Sequence, residues 1–324
     1  MAGTDFVASL DDVTFFGSGL NRPECVLATR SGDLYTCDWR GGVARTRPDG
    51  SNTLIGGPHI LAQGLKPNGI ALVQDGSFLF GNIGESGGVW RLRHDGTVTP
   101  FLTEVDGQAI PGVNFVLLDA WQRVWISVST THRPSHQFSS TRADGYIAML
   151  DERGSRIVAD GLVWTNETRV SPDGNWLYVN ETFAGRMTRF RIAGDGGLSG
   201  RETVAQFDAG TFPDGLSFDS EGGIWTVCVV TNRLIRVMPD GDYHVVLEDL
   251  DPDHVTRVVD ALAAGTLGRD LVYENHARKL LNHSSLAFGG PDLRTLYLGC
   301  ISGDRLATVR MPVAGVPPTH WYWH

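Results

Sequence analysis

The chain has 324 residues, of which 41% are hydrophobic, and its 27 basic and 37 acidic side chains give a formal net charge of −10. This acidic balance argues against nucleic acid or an anionic membrane as the main partner. No apolar stretch approaches the roughly 20 residues that span a bilayer, and the N-terminus has neither a basic leader nor an apolar run, so no secretory signal is indicated. The four cysteines show no C-x-x-C spacing, which indicates buried free thiols in a reducing cytoplasm and no zinc site or disulfide framework.

A short apolar segment recurs six times along the chain and predicts a repeated structural unit. The copies centre on Leu34, Leu79, Val124, Leu177, Ile224 and Leu296, so the successive steps are 45, 45, 53, 47 and 72 residues. Each copy follows a turn rich in Asp and Gly and precedes a further strand pattern. Four strands in about 45 residues are typical of one propeller blade. The sequence therefore predicts an all-β fold, a single six-bladed β-propeller domain over residues 1–324.

Three segments fall outside this regular repeat. We expect the N-terminal stretch around Leu10–Phe16 to complete the last blade, because closing the ring removes exposed sheet edges. Two insertions lie near residues 130–144 and 249–282, and the second has helical spacing of apolar residues. Both belong to loops that open on the face where the blades connect. We therefore expect both to lie over the same mouth of the channel as lid-like segments.

Six polar residues occupy the same position in the six repeats, 10 to 12 residues before the apolar marker: Glu24, Asn68, Asn114, Asn166, Asp214 and Ser284. Because the first strand of each blade begins near the axis of a propeller, we expect these side chains to converge. All of them offer oxygen atoms, which suit a hard cation such as Ca²⁺ or Mg²⁺. The alternative is that Asn and Asp only shape tight turns, which is favoured for any one position but not for six in register.

The residues Arg22-Pro-Glu24, Asn114, Asn166 and the segment that starts Phe212-Pro-Asp214-Gly resemble the gluconolactonase (regucalcin, senescence marker protein) family of metal-dependent propeller hydrolases. The resemblance extends over nearly the whole chain and is strongest at 211–240. It implies that Glu24, Asn166 and Asp214 bind a divalent cation directly, and that Asn114 lies beside it as a ligand or a substrate contact. Ca²⁺ is the expected cofactor, with Mg²⁺, Mn²⁺ and Zn²⁺ as alternatives.

The chain departs from that family at two ring positions. Sugar-lactone hydrolases of the family usually carry Arg-x-Asn-Asp-Gly at the third position and Asn-Gly at the fourth. Here the sequence reads Gly112-Val-Asn114-Phe115-Val and Asn166-Glu167. The arginine and the acid that would bind a polyol are missing, so we expect a substrate other than a simple aldonolactone, one with more apolar or aromatic surface.

The leading interpretation is a divalent-metal-dependent hydrolase that opens a lactone or a related cyclic ester. Asp214 is the candidate that orients or deprotonates the attacking water, and Asn114 is the second candidate catalytic residue, positioning the ester oxygen. Asn68, Ser284, His132 and His283 are candidate substrate-binding residues. A histidine near the metal could transfer protons, because its pKa lies near neutrality, although surface or packing roles are the alternative.

Two other functions stay open from the sequence. The same metal site could serve a phosphotriesterase, an isomerase or a hydratase, and the chain could also be a non-catalytic metal-binding propeller, since fold alone does not determine function. An enzyme would bind a small-molecule substrate, whereas a non-catalytic propeller would bind Ca²⁺ or a protein partner. In each case we expect a monomer or a small homo-oligomer in the cytoplasm.

Overall fold

The computed structural model describes residues 6–133 and 137–323, and its regular structure is almost entirely β-strand. Within these ranges the chain forms six four-stranded antiparallel sheets and one two-stranded hairpin. The innermost strands of the six sheets contact one another in sequence order, and the sixth returns to the first. The predicted six-bladed β-propeller is therefore confirmed.

The first three blades are each built from four consecutive strands. Blade 1 contains the strands that follow the N-terminal strand β1 (Thr14–Phe16), namely β2 (Val26–Ala28), β3 (Leu34–Asp38), β4 (Gly42–Thr46) and β5 (Asn52–Gly56). Blade 2 contains β6 (Pro67–Leu72), β7 (Phe78–Asn82), β8 (Val89–Leu92) and β9 (Val98–Leu102). A hairpin of β10 (Glu104–Val105) and β11 (Gln108–Ala109) leads to blade 3, which contains β12 (Val113–Leu118), β13 (Val124–Val128), β14 (Gly145–Asp151) and β15 (Gly154–Leu162).

The last three blades complete the ring. Blade 4 contains β16 (Thr165–Val170), β17 (Trp176–Glu181), β18 (Arg186–Ile192) and β19 (Leu198–Gln206). Blade 5 contains β20 (Phe212–Phe218), β21 (Ile224–Val229), β22 (Leu234–Val237) and β23 (Tyr243–Leu247). Blade 6 contains β24 (His283–Gly289), β25 (Thr295–Cys300) and β26 (Leu306–Arg310), and its outer strand is β1, which pairs Thr14 with Thr308. The N-terminal stretch thus completes the last blade, as predicted.

The Asp-containing turns between the first two strands of the blades also anchor buried side chains. The Asp219 carboxylate accepts hydrogen bonds from the Trp225 indole at 2.8 Å and from Arg236 at 2.8 Å. In blade 3 the Asp119 carboxylate accepts from the Trp125 indole at 2.9 Å in the same way. Both tryptophans are fully buried, so each indole N–H needs an acceptor inside the blade. The turn and the core of these blades therefore depend on the same aspartate.

The helices lie outside the blades. α1 (Pro58–Leu61) connects blades 1 and 2, and the second insertion contains α2 (Pro252–Ala263) and α3 (Arg269–Tyr273). The Asp251 side chain caps α2 by accepting from the backbone N–H groups of its first turn. Among the described residues, no helix has the length and apolar character needed to cross a bilayer.

The two insertions, which were predicted to lie over the same mouth, also pack against each other; residues 134–136 of the first lie outside the described part. The backbone N–H of Phe138 in the first insertion donates to the Leu267 carbonyl in the second at 3.1 Å. Phe138, Val258 and Leu267 share one apolar cluster with Phe183 from the end of blade 4. The insertions thus cover one mouth of the channel. The C-terminal segment packs at its other end, where a cavity of about 540 Å³ is lined by segment 316–323 and all six innermost strands.

Candidate active site

Most of the predicted ring residues meet at the covered mouth of the channel. Five of them, Glu24, Asn68, Asn114, Asn166 and Asp214, line one cavity of about 80 Å³. In blades 2 to 6 the pairing of the innermost strand with its neighbour shifts register around the ring residue. Such a bulge turns a side chain out of the regular alternation. The bulges therefore allow side chains in the ladder strands to face the axis.

Asn68 holds the first carboxylate in place. Its amide N–H₂ donates to Glu24 Oε1 at 2.9 Å and to the Asn114 carbonyl at 2.9 Å, while its Oδ1 accepts from Arg22 Nη1 at 2.8 Å. The polar atoms of Asn68 are thus all engaged with protein groups. Asn68 lines the cavity, but these contacts favour positioning Glu24, and its predicted contact with substrate stays a prediction.

Asn166 is oriented by a hydrogen-bond chain that starts in the next blade. The Thr182 hydroxyl donates to the Pro213 carbonyl at 2.8 Å, so its oxygen is left to accept from Asn166 Nδ2 at 2.9 Å. Because the nitrogen of the amide is fixed against Thr182, its Oδ1 must face away from that contact. Sequence reasoning missed Thr182, because only the tertiary structure brings it beside Asn166.

Three buried oxygen atoms of the ring have no hydrogen-bond donor within the described residues: Asn114 Oδ1, Asn166 Oδ1 and Asp214 Oδ1. Buried acceptors without a partner are rare in native proteins because each loses its hydration without replacement. Together with the Glu24 carboxylate they form an oxygen-only donor set. A hard divalent cation is bound by this kind of set, so the residues present fit the expected cofactor.

The carboxylates of the ring are destabilised in their charged form. Burial raises the pKa of Glu24 to about 7; Arg22 opposes this rise, and the nearby Glu167 adds to it. Burial, together with the charges of Glu24 and Glu167, raises the pKa of Asp214 well above its usual range. The protein alone therefore stabilises the charged forms of these two carboxylates poorly, and a bound cation would stabilise them.

Glu167 links blades 4 and 6 inside the channel, beside the ring. Its Oε1 accepts from the Ser285 hydroxyl of blade 6 at 2.6 Å, and its Oε2 lies 3.2 Å from Arg169 Nη2. A Cβ atom on Gly215 would lie only 3.3 Å from Cδ of Glu167 and 2.6 Å from Cα of Ser285, so the glycine leaves room for this contact. Glu167 thus forms a largely buried ion pair within the channel.

The walls of the cavity are apolar and aromatic, with cationic residues among them. Phe138, Trp164, Phe183 and Tyr273 contribute rings, and the Phe138 and Phe183 rings stack with their centroids 4.5 Å apart. Three arginines also line the cavity: Arg22, Arg133 and Arg269. Of these, the sequence singled out only Arg22, as part of the motif around Glu24. The others come from the insertions, whose contacts the repeat does not predict.

Three further predicted residues lie outside the lining of this cavity. The Ser284 hydroxyl is buried and donates to the Glu24 carbonyl at 3.1 Å. His283 is buried, its Nδ1 lies 3.1 Å from the Gly299 carbonyl, and burial lowers its pKa to about 4. His132 lies in the first insertion, with Nε2 3.3 Å from Gln137 Oε1. Substrate contact by Ser284, His283 and His132 stays a prediction.

A second group of metal-ligating residue types lies in the second insertion, apart from the ring. One ligand atom from each of His254, Glu274 and His276 falls within 4.8 Å of the others. The Arg257 guanidinium nitrogen Nη2 already lies 3.0 Å from Glu274 Oε2 and 3.1 Å from His254 Nδ1. A cationic group of the protein therefore occupies this cluster.

The chain is similar to known proteins in sequence and in fold. A family model described as SMP-30/Gluconolactonase/LRE-like region matches residues 22–258. A 6-deoxy-6-sulfogluconolactonase from Pseudomonas putida is 27% identical over 292 residues, which cover 88% of this chain and 84% of that relative. Among solved structures, the calcium-binding protein regucalcin from Agrobacterium tumefaciens matches with a TM-score of 0.67 at 16% identity, covering 93% of this chain and 96% of that one. A gluconolactonase from Xanthomonas campestris matches with a TM-score of 0.66 at 18% identity, covering 93% and 89%.

Proposed function

The chain belongs to the SMP-30/gluconolactonase/LRE-like family, and on this basis we propose that it is a divalent-metal-dependent hydrolase that opens a lactone or a related cyclic ester. The observation that carries the proposal is the set of three buried ring oxygens that have no donor in residues 6–133 and 137–323, beside the Glu24 carboxylate. A propeller that served only as a scaffold would have no need of such a set. The name of the 27% identical relative, which describes a lactonase, supports the same reaction class.

Glu24, Asn114, Asn166 and Asp214 are the residues that would hold the ion. A divalent cation there supplies Lewis-acid polarisation of an ester carbonyl and activation of water. Ca²⁺ is the ion we propose first, because all four side chains offer oxygen atoms. The two carboxylates would balance the charge of one divalent cation, so the ligand set and its ion together would be neutral.

Asp214 is the proposed proton acceptor. Its Oδ1 is buried without a donor in the described part of the chain, and the side chain faces the cavity. This carboxylate oxygen can therefore accept a proton from a water molecule at the site. In the proposed reaction Asp214 takes a proton from the attacking water while the water oxygen bonds to the carbonyl carbon. The acyl C–O bond of the ring then breaks, and the ring oxygen leaves as a hydroxyl by taking that proton back from Asp214. Asn114 lines the same cavity and would position the ester oxygen.

The substrate we propose is not a simple aldonolactone. A polyol needs many hydrogen-bond partners, whereas the walls beyond the ring are dominated by Phe138, Trp164, Phe183 and Tyr273. Aromatic walls favour a ligand with apolar surface. We therefore propose a lactone that presents an apolar face to these rings.

The test is hydrolysis of a lactone panel by purified protein before and after chelation, with the Asp214→Asn variant beside the wild type. We expect activity that is lost on chelation, restored by Ca²⁺ or another divalent ion, and reduced at least about 100-fold in Asp214→Asn. The control is Glu202→Gln, which removes an exposed ion pair with Arg189 on blade 4. Turnover of phosphotriesters in place of lactones would assign the metal site to the alternative reaction, and metal binding without turnover of any ester would support a non-catalytic propeller.

A further inference from the structure

The cavity beside the ring carries an excess of positive charge. Arg22 precedes β2, Arg133 belongs to the first insertion and Arg269 begins α3, yet all three line the same cavity. The whole chain has a net charge of −10, so three arginines at one site form a local concentration of positive charge in an acidic protein. Charged groups collected in a partly closed cleft attract a ligand of the opposite sign.

Arg22 is nearly fully buried, with 7% of its surface exposed. Its guanidinium lies 4.3 Å from the centroid of the Trp39 ring and donates to Asn68 Oδ1 at 2.8 Å. The nearest approach to Glu24 is 3.9 Å, and Glu24 is a proposed metal ligand. Arg22 Nε has no hydrogen-bond partner in the described residues. An arginine offers five N–H donors, so this side chain retains capacity for a ligand.

Arg269 has no carboxylate within ion-pair distance among the described residues, and its Nε is buried without a hydrogen-bond partner. Its guanidinium lies 5.7 Å from the centroid of the Tyr273 ring, and the guanidinium of Arg22 lies 5.8 Å from the same ring. Both guanidinium groups therefore lie near the same tyrosine in the wall of the cavity. Arg133 lies in the same lining and is exposed to solvent.

The charges of the site do not balance without a further anion. Glu24 and Asp214 would balance a divalent cation, and Glu167 is paired with Arg169. Once Glu24 is counted toward the cation, the described residues offer Arg22 and Arg269 no further counter-charge. A buried charge that is unpaired is costly, and an oxyanion satisfies a guanidinium in charge and in geometry.

From this imbalance we propose that the substrate carries a permanent anionic group, a carboxylate, sulfonate or phosphate, which binds between Arg22 and Arg269 beside Tyr273. This inference rests on the proposed lactone hydrolysis and specifies its substrate class. The anion and the reacting ester then occupy neighbouring parts of one cavity. Binding the anion holds the ring of the lactone against the aromatic wall.

The experiment compares lactones that differ only in one substituent, which is neutral in one and carboxylate, sulfonate or phosphate in the others. We expect wild-type kcat/KM to be at least about 10-fold higher for one of the anionic lactones. In Arg269→Gln that preference should fall by about 10- to 100-fold, mainly through KM, while hydrolysis of the neutral lactone stays within about threefold. Arg269→Lys should restore part of it. Arg310→Gln, which removes an exposed ion pair on blade 6, is the matched control and should change neither substrate.

Added salt should weaken the hydrolysis of the anionic lactone and leave that of the neutral one unchanged. Equal kcat/KM for neutral and anionic lactones, or an equal loss for both in Arg269→Gln, would overturn the inference and leave lactone hydrolysis standing. If neither lactone is opened, the proposed hydrolase function fails. The anion site is then judged by calorimetric titration of the metal-loaded protein with both lactones. Tighter binding of the anionic lactone that Arg269→Gln abolishes supports the site, and equal binding overturns it.

Discussion

Replacing Glu24 by glutamine should stabilise the metal-free protein at alkaline pH. Glutamine keeps an oxygen that accepts from Asn68 Nδ2, which contacts Glu24 Oε1 at 2.9 Å, but it removes a buried charge. In the folded chain, burial is the main cause that raises the pKa of Glu24 to about 7 from its usual value of 4.5. The folded state therefore binds the proton more tightly than the unfolded state does. This contribution to stability is fully present below pH 4.5 and is lost as the pH rises through 7.

The size of the effect follows from the shift. At about 1.36 kcal/mol per pKa unit, this shift corresponds to about 3 kcal/mol of unfolding free energy at pH values above the folded pKa. For a chain of this length, 3 kcal/mol is about 4 °C in Tm. Metal-free Glu24→Gln should therefore melt about 4 °C above metal-free wild type at about pH 8, and at nearly the same temperature at about pH 4.

Calorimetry of chelated wild type and Glu24→Gln across this pH range measures the difference directly. Comparing the two proteins cancels other groups, such as His283 and His320, whose pKa burial lowers to about 4 in each case. Added Ca²⁺ should reverse the order, because the variant loses one anionic ligand. Parallel pH profiles for the two metal-free proteins would refute the reasoning, since Glu24 would then ionise in the folded state as easily as in the unfolded one.

Three further outcomes follow from the structure. Thr182→Val should weaken metal binding about 10- to 100-fold without changing any proposed ligand, because the Asn166 amide loses the acceptor that orients it. Calorimetric titration with Ca²⁺ measures the affinity, and an unchanged affinity would contradict the proposed chain of contacts. Asp219→Ala should lower the free energy of unfolding by about 3–5 kcal/mol, measured by chemical denaturation, because Arg236 and the Trp225 indole stay buried without this acceptor. A loss below about 1 kcal/mol would contradict the role of Asp219 as an anchor of the blade. Deleting residues 1–16 should lower Tm and promote association, because it removes β1 and exposes the edge of β26. Light scattering and melting that match the full chain would show that β1 is dispensable.

The fold was predictable because the sequence repeats one pattern of strands and turns six times. Each blade reuses the same order of strands and Asp-containing turns, so six imperfect copies support one another where a single copy would be ambiguous. The ring residues were predictable for the same reason, since one phase of the repeat selects Glu24, Asn114, Asn166 and Asp214. Their equivalent positions in the blades bring them to one axis.

The rest of the site depends on contacts between distant parts of the chain. Ser284 occupies the same position in its repeat as the other ring residues. Its short side chain donates a hydrogen bond to the Glu24 carbonyl and does not reach the lining of the cavity. Glu167 was noticed only as a departure from a motif, and its partner Ser285 belongs to a different blade. Arg133 and Arg269 reach the cavity through the packing of two insertions, which no periodicity encodes.

The most direct test of the metal centre is elemental analysis of purified wild type, Asp214→Asn and His254→Ala, coupled to the lactone assay before and after chelation. A metal centre at the ring predicts one divalent ion per chain in wild type and His254→Ala, with activity that chelation removes and metal restores, and no tightly bound ion in Asp214→Asn. Wild type without a bound ion and with activity indifferent to chelation would contradict it, as would an ion that persists in Asp214→Asn and disappears in His254→Ala.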